Sequence, residues 1–288
     1  MNVIVPEPCQ RNAPQAGGQR RETIAVVLMT KNEELRLPAC LERVAGWADE
    51  IVIIDDLSTD RTVEVAQRYT DRVFSMASED DHFGQWNRGI DRATSDWILH
   101  IDADELVTSG LKAAIDQVLV DAKGHSAFEV MRKNVFLGHP MRYGGWYHRH
   151  LILFRRDRAR CVGKGIHVRL KVDGSIGFLD ADIEHYPFSS IAQFIDRQNH
   201  YTAVEARVML EERGLLPRGT IMYQAGVRPV KLFWKFYVKK GGYREGWYGL
   251  VFSLLFAFAH FALWTKYWEY AAAQRTREGA ATTATAGT

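Results

Sequence analysis

Apolar, β-branched segments alternate with amphipathic helical segments over the first 122 residues, and this alternation constrains the fold more than any other feature. Apolar runs at residues 23–29, 51–54 and 97–101 are typical of strands buried in a sheet, and residues 72–75 are expected to form a further short strand. Helical periodicity follows them at residues 33–44, 61–69, 84–93 and 111–120. This order predicts right-handed crossovers and an α/β fold with a mostly parallel sheet.

Composition excludes several classes of protein. The 288 residues are 47% apolar, which suits a folded chain. The net charge is only +2, so the protein as a whole does not attract polyanions electrostatically. Cys9, Cys40 and Cys161 lie far apart, so neither a disulfide scaffold nor a cysteine zinc site is expected. No nucleic-acid-binding motif is found, and a nucleic-acid partner is not predicted.

Two acidic clusters directly follow predicted strands. Asp55 and Asp56 follow the second strand, and Asp102 and Asp104 follow the fourth. Ligands of parallel sheets bind beyond the carboxyl ends of the strands, so both clusters are expected at a binding edge. Such carboxylates suit Mg²⁺ or Mn²⁺, which keep open positions for substrate phosphates. They could equally cap helices, and a haloacid-dehalogenase-like phosphatase is a further, weaker alternative because its motif normally follows the first strand.

Four motifs occur together in one order: residues 26–34 (VVLMTKNEE), 50–60 (EIVIIDDLSTD), 83–89 (FGQWNRG) and 96–105 (DWILHIDADE). In this combination the chain resembles the inverting family-2 glycosyltransferases of GT-A fold. Further motifs at residues 133–138, 144–147, 153–156, 185–186 and 199–201 resemble the bacterial lipopolysaccharide-core β-glucosyltransferase branch. The resemblance covers roughly residues 23–270.

The resemblance implies a nucleotide-diphosphate sugar as donor and Mg²⁺ or Mn²⁺ as cofactor. The positions that would bind the donor are Thr30, Glu33, Asp55, Asp56, Asn87, Arg88 and Asp102. The positions that would hold the metal are Asp102, Asp104 and His185, with a buried, hydrogen-bonded structural histidine as the alternative for His185. Glu105 would lie near the acceptor sugar.

The identity of the general base, which removes the proton from the acceptor hydroxyl, stays open. Relatives often carry a Val-His-Glu triplet before an apolar strand, but here residues 166–168 read Ile-His-Val, and valine accepts no proton. The candidates for the base are Glu105, His167 and Glu184, together with Asp180 and Asp182. Donor binding without turnover is the alternative that this substitution permits.

The segment from 142 to 169 combines eight Lys and Arg residues with interleaved aromatic side chains. Aromatic faces stack on sugars and arginines pair with phosphates, so Trp146, Tyr147 and Arg155 are candidate acceptor-binding residues. An ordinary solvated basic surface is the simpler interpretation.

The C-terminal part favours a membrane surface. Basic and aromatic residues between 228 and 244 precede residues 247–265, nineteen positions without Lys, Arg, Asp or Glu. This length is at the lower limit for a span, so a shallow anchor is preferred, with a single span or a buried helix as alternatives. We therefore predict a disordered lead (1–22), a GT-A domain (23–226), membrane-associating helices (227–270) and a disordered tail (271–288).

The sequence thus predicts a bacterial enzyme on the cytoplasmic face of the inner membrane. It would move a hexose, most plausibly glucose, onto a lipid-linked saccharide such as lipopolysaccharide core. Two alternatives remain: a polyprenyl-phosphate glycosyltransferase, which would tolerate Val168 better, and a non-catalytic nucleotide-sugar-binding assembly protein.

Overall fold

A computed structural model of the chain describes residues 21–77, 82–162 and 169–285. The chain forms two compact units. The first extends to Arg132 and includes His148–His185, and the second comprises Lys133–Tyr147 and the chain from Tyr186 onward. Two long strands, β6 and β11, begin in the first unit and end in the second.

The strands of the described residues are β1 (Ile24–Thr30), β2 (Glu50–Asp55), β3 (Val73–Ser75), β4 (Trp97–Asp102), β5 (Glu105–Val107), β6 (Ala127–Phe136), β7 (His139–Pro140), β8 (His148–Arg155), β9 (Ala159–Val162), β10 (Arg169–Val172) and β11 (Ile176–Phe188). The first unit is built on one mixed sheet with the strand order β3-β2-β1-β4-β8-β6-β11-β5, to which β7 is added as a partner of β6. Strands β9 and β10 form a separate antiparallel pair. Strands β1 to β4 pair in parallel, as predicted. The pairs β4–β8, β8–β6 and β11–β5 are antiparallel. The sequence pattern did not predict this antiparallel half of the sheet.

Both faces of the parallel strands are buried. Along β1, Ile24, Val26 and Leu28 join one apolar cluster, while Ala25 and Val27 join another on the opposite face. The first cluster takes in helices α1 (Leu37–Val44) and α4 (Ser109–Val118), and the second takes in α3 (His82–Arg92). A short helix, α2 (Thr62–Ala66), follows β2. This two-sided burial explains why the strands read as continuous apolar runs rather than as alternating patterns.

The second unit is mainly helical. Its helices are α5 (Ile191–Arg213), α6 (Arg218–Met222), α7 (Arg228–Trp234) and α8 (Gly246–Thr285), with π turns at Tyr223–Val227 and Lys235–Lys239 and a 3₁₀ turn at Gly242–Glu245. Ser190 caps α5 by accepting a hydrogen bond from Gln193 N at 3.1 Å. Helix α8 extends to Thr285, into the segment that the sequence assigns to the tail.

The core of the second unit is aromatic. Phe136, Phe194 and Phe252 are buried in one cluster, and Trp146 packs against it. The helical segment Gly242–Thr276 is long and apolar enough to cross a membrane by length and composition, and one third of its most apolar window is buried within the protein. The domain boundary that the sequence predicts at residue 226 stays a prediction.

Candidate active site

Two loops at the carboxyl ends of β1 and β2 are joined by hydrogen bonds between side chains and backbone. Asn32 N donates to Ser58 Oγ at 2.8 Å, and Asn32 Oδ1 accepts from Thr59 N at 2.8 Å. Glu33 N donates to the Thr62 hydroxyl at 2.7 Å. Asn32 has φ +54°, a backbone conformation that Asn tolerates better than most residues. The loops therefore form one fixed edge, and apart from Glu33 the residues that hold it are not among the candidates named from the sequence.

Thr30 and Asp55 are paired in register and both are buried. The Thr30 hydroxyl donates to Asp55 Oδ1 at 3.3 Å, and the second Asp55 oxygen accepts from Ser58 N at 3.0 Å. A short hydrogen bond from Ser58 Oγ adds to these. Both oxygens of the Asp55 carboxylate are thus engaged in shaping the turn.

Asp56 is buried at the mouth of the same turn. The Lys31 ammonium lies 2.8 Å from Asp56 Oδ2, and the Gln85 amide donates to Asp56 Oδ1 at 3.4 Å. The Lys31 side chain is 62% exposed, whereas that of Asp56 is 9% exposed. A carboxylate held in this way can accept hydrogen bonds from a ligand that displaces the exposed lysine.

Helix α3 carries the Asn87 and Arg88 candidates. The Asn87 amide donates to Cys161 O and accepts from Cys161 N, both at 3.0 Å, and so fixes β9 to the helix. Arg88 donates to Ala77 O at 3.1 Å. Gly89 permits close packing here, because a Cβ atom at this position would lie 2.6 Å from Val27 Cγ1. Asn87 therefore has a structural role, while Arg88 contacts the chain just after β3.

Asp102, Asp104 and His185 lie around the turn between β4 and β5. Asp102 pairs with Met29 of β1, so it reaches the same edge of the sheet as Thr30 and Asp55. His185 Nε2 lies 3.5 Å from Asp104 Oδ1, and both side chains are about one tenth exposed. Within the described residues, no group of three or more His, Cys, Asp and Glu side chains is arranged to hold a metal ion by itself.

Glu105 and Arg132 lie beneath this turn. Glu105 is 1% exposed, and its Oε1 atom lies 2.7 Å from Arg132 Nε. Its Oε2 atom accepts a hydrogen bond from Asp102 N at 3.0 Å. Arg132 Nη2 reaches Asp102 Oδ2 at 3.3 Å. One buried guanidinium therefore bridges two acidic residues of the motif.

Desolvation is the largest influence on the pKa values of the buried side chains around this turn. Burial raises the pKa of the Glu105 carboxyl, and the nearby Arg132 guanidinium opposes that rise. Desolvation and the neighbouring Asp104 charge raise the pKa of Asp102, again against Arg132. Burial and Arg132 lower the pKa of His150 to about 3, so this imidazole stays neutral. Loss of hydration, more than repulsion between the carboxylates, therefore raises the pKa of both Glu105 and Asp102.

Comparison with known proteins decides the family. The profile of "Glycosyl transferase family 2" matches residues 25–172, just over half of the chain. The chain belongs to glycosyltransferase family 2. The alternating β1 to β4 region and the edge just described fall within the match, and the α/β architecture predicted from the sequence is confirmed as the GT-A fold.

Relatives of this family 2 glycosyltransferase are bacterial. An uncharacterized glycosyltransferase of Rickettsia felis is 24% identical over 83% of this chain and 87% of its own length. The lipopolysaccharide core biosynthesis glycosyltransferase LpsC of Rhizobium meliloti is 25% identical over 79% and 85%. Among solved structures, S. aureus TarS 1–349 in complex with UDP aligns at 15% identity and TM-score 0.46, covering 88% of this chain and 91% of that one.

The antiparallel half of the glycosyltransferase sheet separates some of the candidates. Arg155 pairs with Trp97 at the amino end of β4, whereas Asp102 lies at the carboxyl end. The Arg155 guanidinium contacts Glu22 at 2.8 Å and stacks over Trp97, 4.7 Å from the ring centroid. The structure therefore does not bring Arg155 to the acidic edge. Its contacts indicate that it secures the opposite edge of the sheet.

The remaining candidates are spread over the chain. Glu184 is adjacent to His185 in β11 and pairs with Leu106. Asp182 contributes its carbonyl as acceptor for the Thr108 hydroxyl at 2.8 Å. In the second unit, Trp146 is half-buried against Phe252, with ring centroids 4.5 Å apart, and Tyr147 follows it. His167 lies outside the described residues.

Sequence reasoning missed Arg132, the residue with the strongest link to the acidic turn. Its signal was weak, since position 132 lies in the middle of β6 and far from the motif in sequence. An arginine in a strand with alternating burial is usually solvated. Only the antiparallel neighbours of β6 place it under the turn.

Proposed function

We propose that this family 2 glycosyltransferase moves a hexose, most plausibly glucose, from a nucleotide-diphosphate sugar to a lipid-linked saccharide such as lipopolysaccharide core. One observation carries the proposal: Asp56 and the Asp102–Asp104 turn lie at the carboxyl edge of the same parallel strands. That edge is where sheets of this type bind nucleotides. The similarity to LpsC supports the class of acceptor.

The donor set of the turn fits Mg²⁺ or Mn²⁺. Two carboxylates and an imidazole are available in Asp102, Asp104 and His185, and His185 Nε2 already lies 3.5 Å from Asp104 Oδ1. Magnesium is usually held by one or two carboxylates together with substrate phosphates, so a complete protein cage is unnecessary. The ion would supply charge stabilisation for the departing nucleotide diphosphate.

The residues of the chain would bind the donor and orient it. The buried Asp56 carboxylate would accept hydrogen bonds from the base, with Thr30, Glu33 and Asp55 holding the loop around it. Asn87 and Arg88 would lie on the side of the ribose and diphosphate. Asp102 would orient both the ribose and the metal-bound diphosphate. These roles are positional, and fixed hydrogen-bond donors and acceptors are the main source of rate acceleration in such transfers.

The acceptor hydroxyl needs a base within hydrogen-bond reach. Glu105 is buried and paired with Arg132, which favours a positioning role for this residue. Glu184 and His167 remain the candidates for proton removal. A displacement from the face opposite the diphosphate would invert the anomeric centre.

The second unit supports a location at the cytoplasmic face of the bacterial inner membrane. Met222, Val230, Trp234 and Trp247 are large apolar residues with 56–74% exposure. Lys231 lies among them on α7. Basic residues combined with exposed aromatic ones are typical of a helix at an anionic membrane surface. We therefore infer that α7 lies on the membrane and that part of α8 enters it.

The test is turnover of UDP-glucose by purified protein in detergent, with Mn²⁺ or Mg²⁺ and with EDTA. We expect slow release of UDP that EDTA abolishes and that a truncated lipopolysaccharide core accelerates. Acceleration by a polyprenyl phosphate instead would mean that the acceptor is a lipid phosphate and not a saccharide. Absence of both UDP release and UDP binding, with several nucleotide sugars, would refute the proposal.

A further inference from the structure

We propose that Arg132 is a positioning residue, which holds the Asp102 carboxylate in the orientation that binds the metal-bound donor. The inference rests on the proposed function and adds to it a residue outside the motifs of the family. Arg132 would act through Asp102 and Glu105 and would not touch the reacting atoms.

The geometry links three residues in a closed arrangement. Arg132 contacts Glu105 through Nε at 2.7 Å and Asp102 through Nη2 at 3.3 Å. Glu105 completes the arrangement by accepting from Asp102 N at 3.0 Å. Both the backbone and the side chain of Asp102 are therefore tied to the same buried pair. The turn cannot rotate without breaking at least one of these contacts.

The surroundings of the pair fix it further. Glu105 is 1% exposed, and its neighbour across the strand pair is His185. The Cys40 thiol lies 3.7 Å from Asp102 O on the other side of the turn. The Arg132 side chain is 17% exposed, so its guanidinium has few alternative positions. The longer of its two contacts leads to Asp102, whose side chain is 48% exposed and faces the edge of the sheet.

Only arginine can make both contacts at once. Its planar guanidinium presents donors in a fixed fork, whereas a lysine ammonium is a point charge that reaches one carboxylate well. Arg132→Lys therefore conserves the charge and removes the bridge. Residues that orient metal ligands in this way typically change metal affinity by 10–100-fold when they are replaced.

The experiment compares binding of UDP with Mn²⁺ by titration calorimetry in wild type, Arg132→Lys and Arg68→Lys. Arg68 is the control, because it makes an exposed ion pair with Glu64 at 2.6 Å on the surface. We expect Arg132→Lys to weaken Mn²⁺-dependent UDP binding at least tenfold and to raise the Mn²⁺ concentration needed for half-maximal binding. Arg68→Lys should bind like wild type. Wild-type affinity in Arg132→Lys would overturn the inference.

A second variant separates positioning from simple stabilisation. Glu105→Gln keeps an acceptor for Asp102 N but weakens the anchor of Arg132. We expect Glu105→Gln and Arg132→Lys to have similar losses of affinity, and the double variant to be little worse than either, because both act through one arrangement. Fully additive losses, or losses confined to variants with lowered Tm, would contradict the inference. Absence of Mn²⁺-dependent UDP binding in the wild type would instead refute the proposed function.

Discussion

The buried pair of Arg132 and Glu105 makes a quantitative prediction about stability. Arg132→Met removes the guanidinium and leaves a carboxylate that is 1% exposed. Breaking a buried pair by removing one partner costs about 3–5 kcal/mol. At pH 9, where Glu105 of the wild type is mostly ionised, we expect about 3 kcal/mol, the lower end, because Glu105 keeps the hydrogen bond from Asp102 N and Arg132 is itself 17% exposed. In a domain of 150–250 residues this lowers Tm by roughly 6–12 °C.

The loss should depend on pH, and its sign follows from Glu105. Burial raises the pKa of this carboxyl in the folded protein, and removing Arg132 raises it further. A group whose folded pKa lies above its unfolded value stabilises the fold below the unfolded pKa, and this contribution is lost as pH rises towards the folded pKa. Well below the folded wild-type pKa of about 8, Glu105 is protonated in both proteins, so the deficit of Arg132→Met relative to wild type should grow as pH rises through that value and be larger at pH 9 than at pH 6.

Thermal and urea unfolding at both pH values measure the effect. The double variant Arg132→Met with Glu105→Gln removes both charges, so its free energy of unfolding should return to within about 1 kcal/mol of wild type. The reasoning is refuted if the deficit of Arg132→Met is the same at pH 6 and pH 9. It is equally refuted if the double variant stays as unstable as the single one.

Three further predictions concern the donor and the membrane. Asp104→Asn should reduce transfer at least a hundredfold with Tm little changed, since charge stabilisation by the metal is worth several kcal/mol; normal turnover would remove the metal argument. Asp56→Asn should raise the KM for the nucleotide sugar about tenfold with kcat nearly unchanged, because the bound donor loses its hydrogen bond to a charged carboxylate. Lys231→Gln with Trp234→Ser should weaken sedimentation with anionic liposomes at least fivefold, since each basic residue near such a surface contributes about 1 kcal/mol; the control Arg68→Gln should sediment like wild type.

The parallel half of the fold was predictable because its information is local. Each of β1, β2 and β4 is a continuous apolar run, and a run buried on both faces fits only the interior of a layered α/β sheet. The carboxyl ends of parallel strands share one edge, so the sequence alone predicts that Asp55 and Asp102 lie at the same edge. The register confirms it, with Thr30 opposite Asp55 and Met29 opposite Asp102.

The antiparallel half was not predictable in the same way, since strand direction is not encoded in local periodicity. Arg155 ends β8, which runs antiparallel to β4, and this reversal takes it to the edge away from Asp102. The same reversal through β8 and β6 brings Arg132 under the turn. One residue was therefore expected at the acidic edge and lies elsewhere, and another was overlooked and lies there.

Strand alternation also bears on the choice of base. Successive side chains of a strand point to opposite faces. His185 approaches Asp104 and lies opposite Glu105, so Glu184 projects from the other face of β11. A role for Glu184 in proton removal then requires the acceptor to approach from that face, whereas His185 suits a metal ligand. Glu105, tied to Arg132 and to Asp102 N, contributes most by keeping the turn in place. Glu184→Gln should consequently lower kcat without changing Mn²⁺-dependent UDP binding, while Glu105→Gln should change that binding.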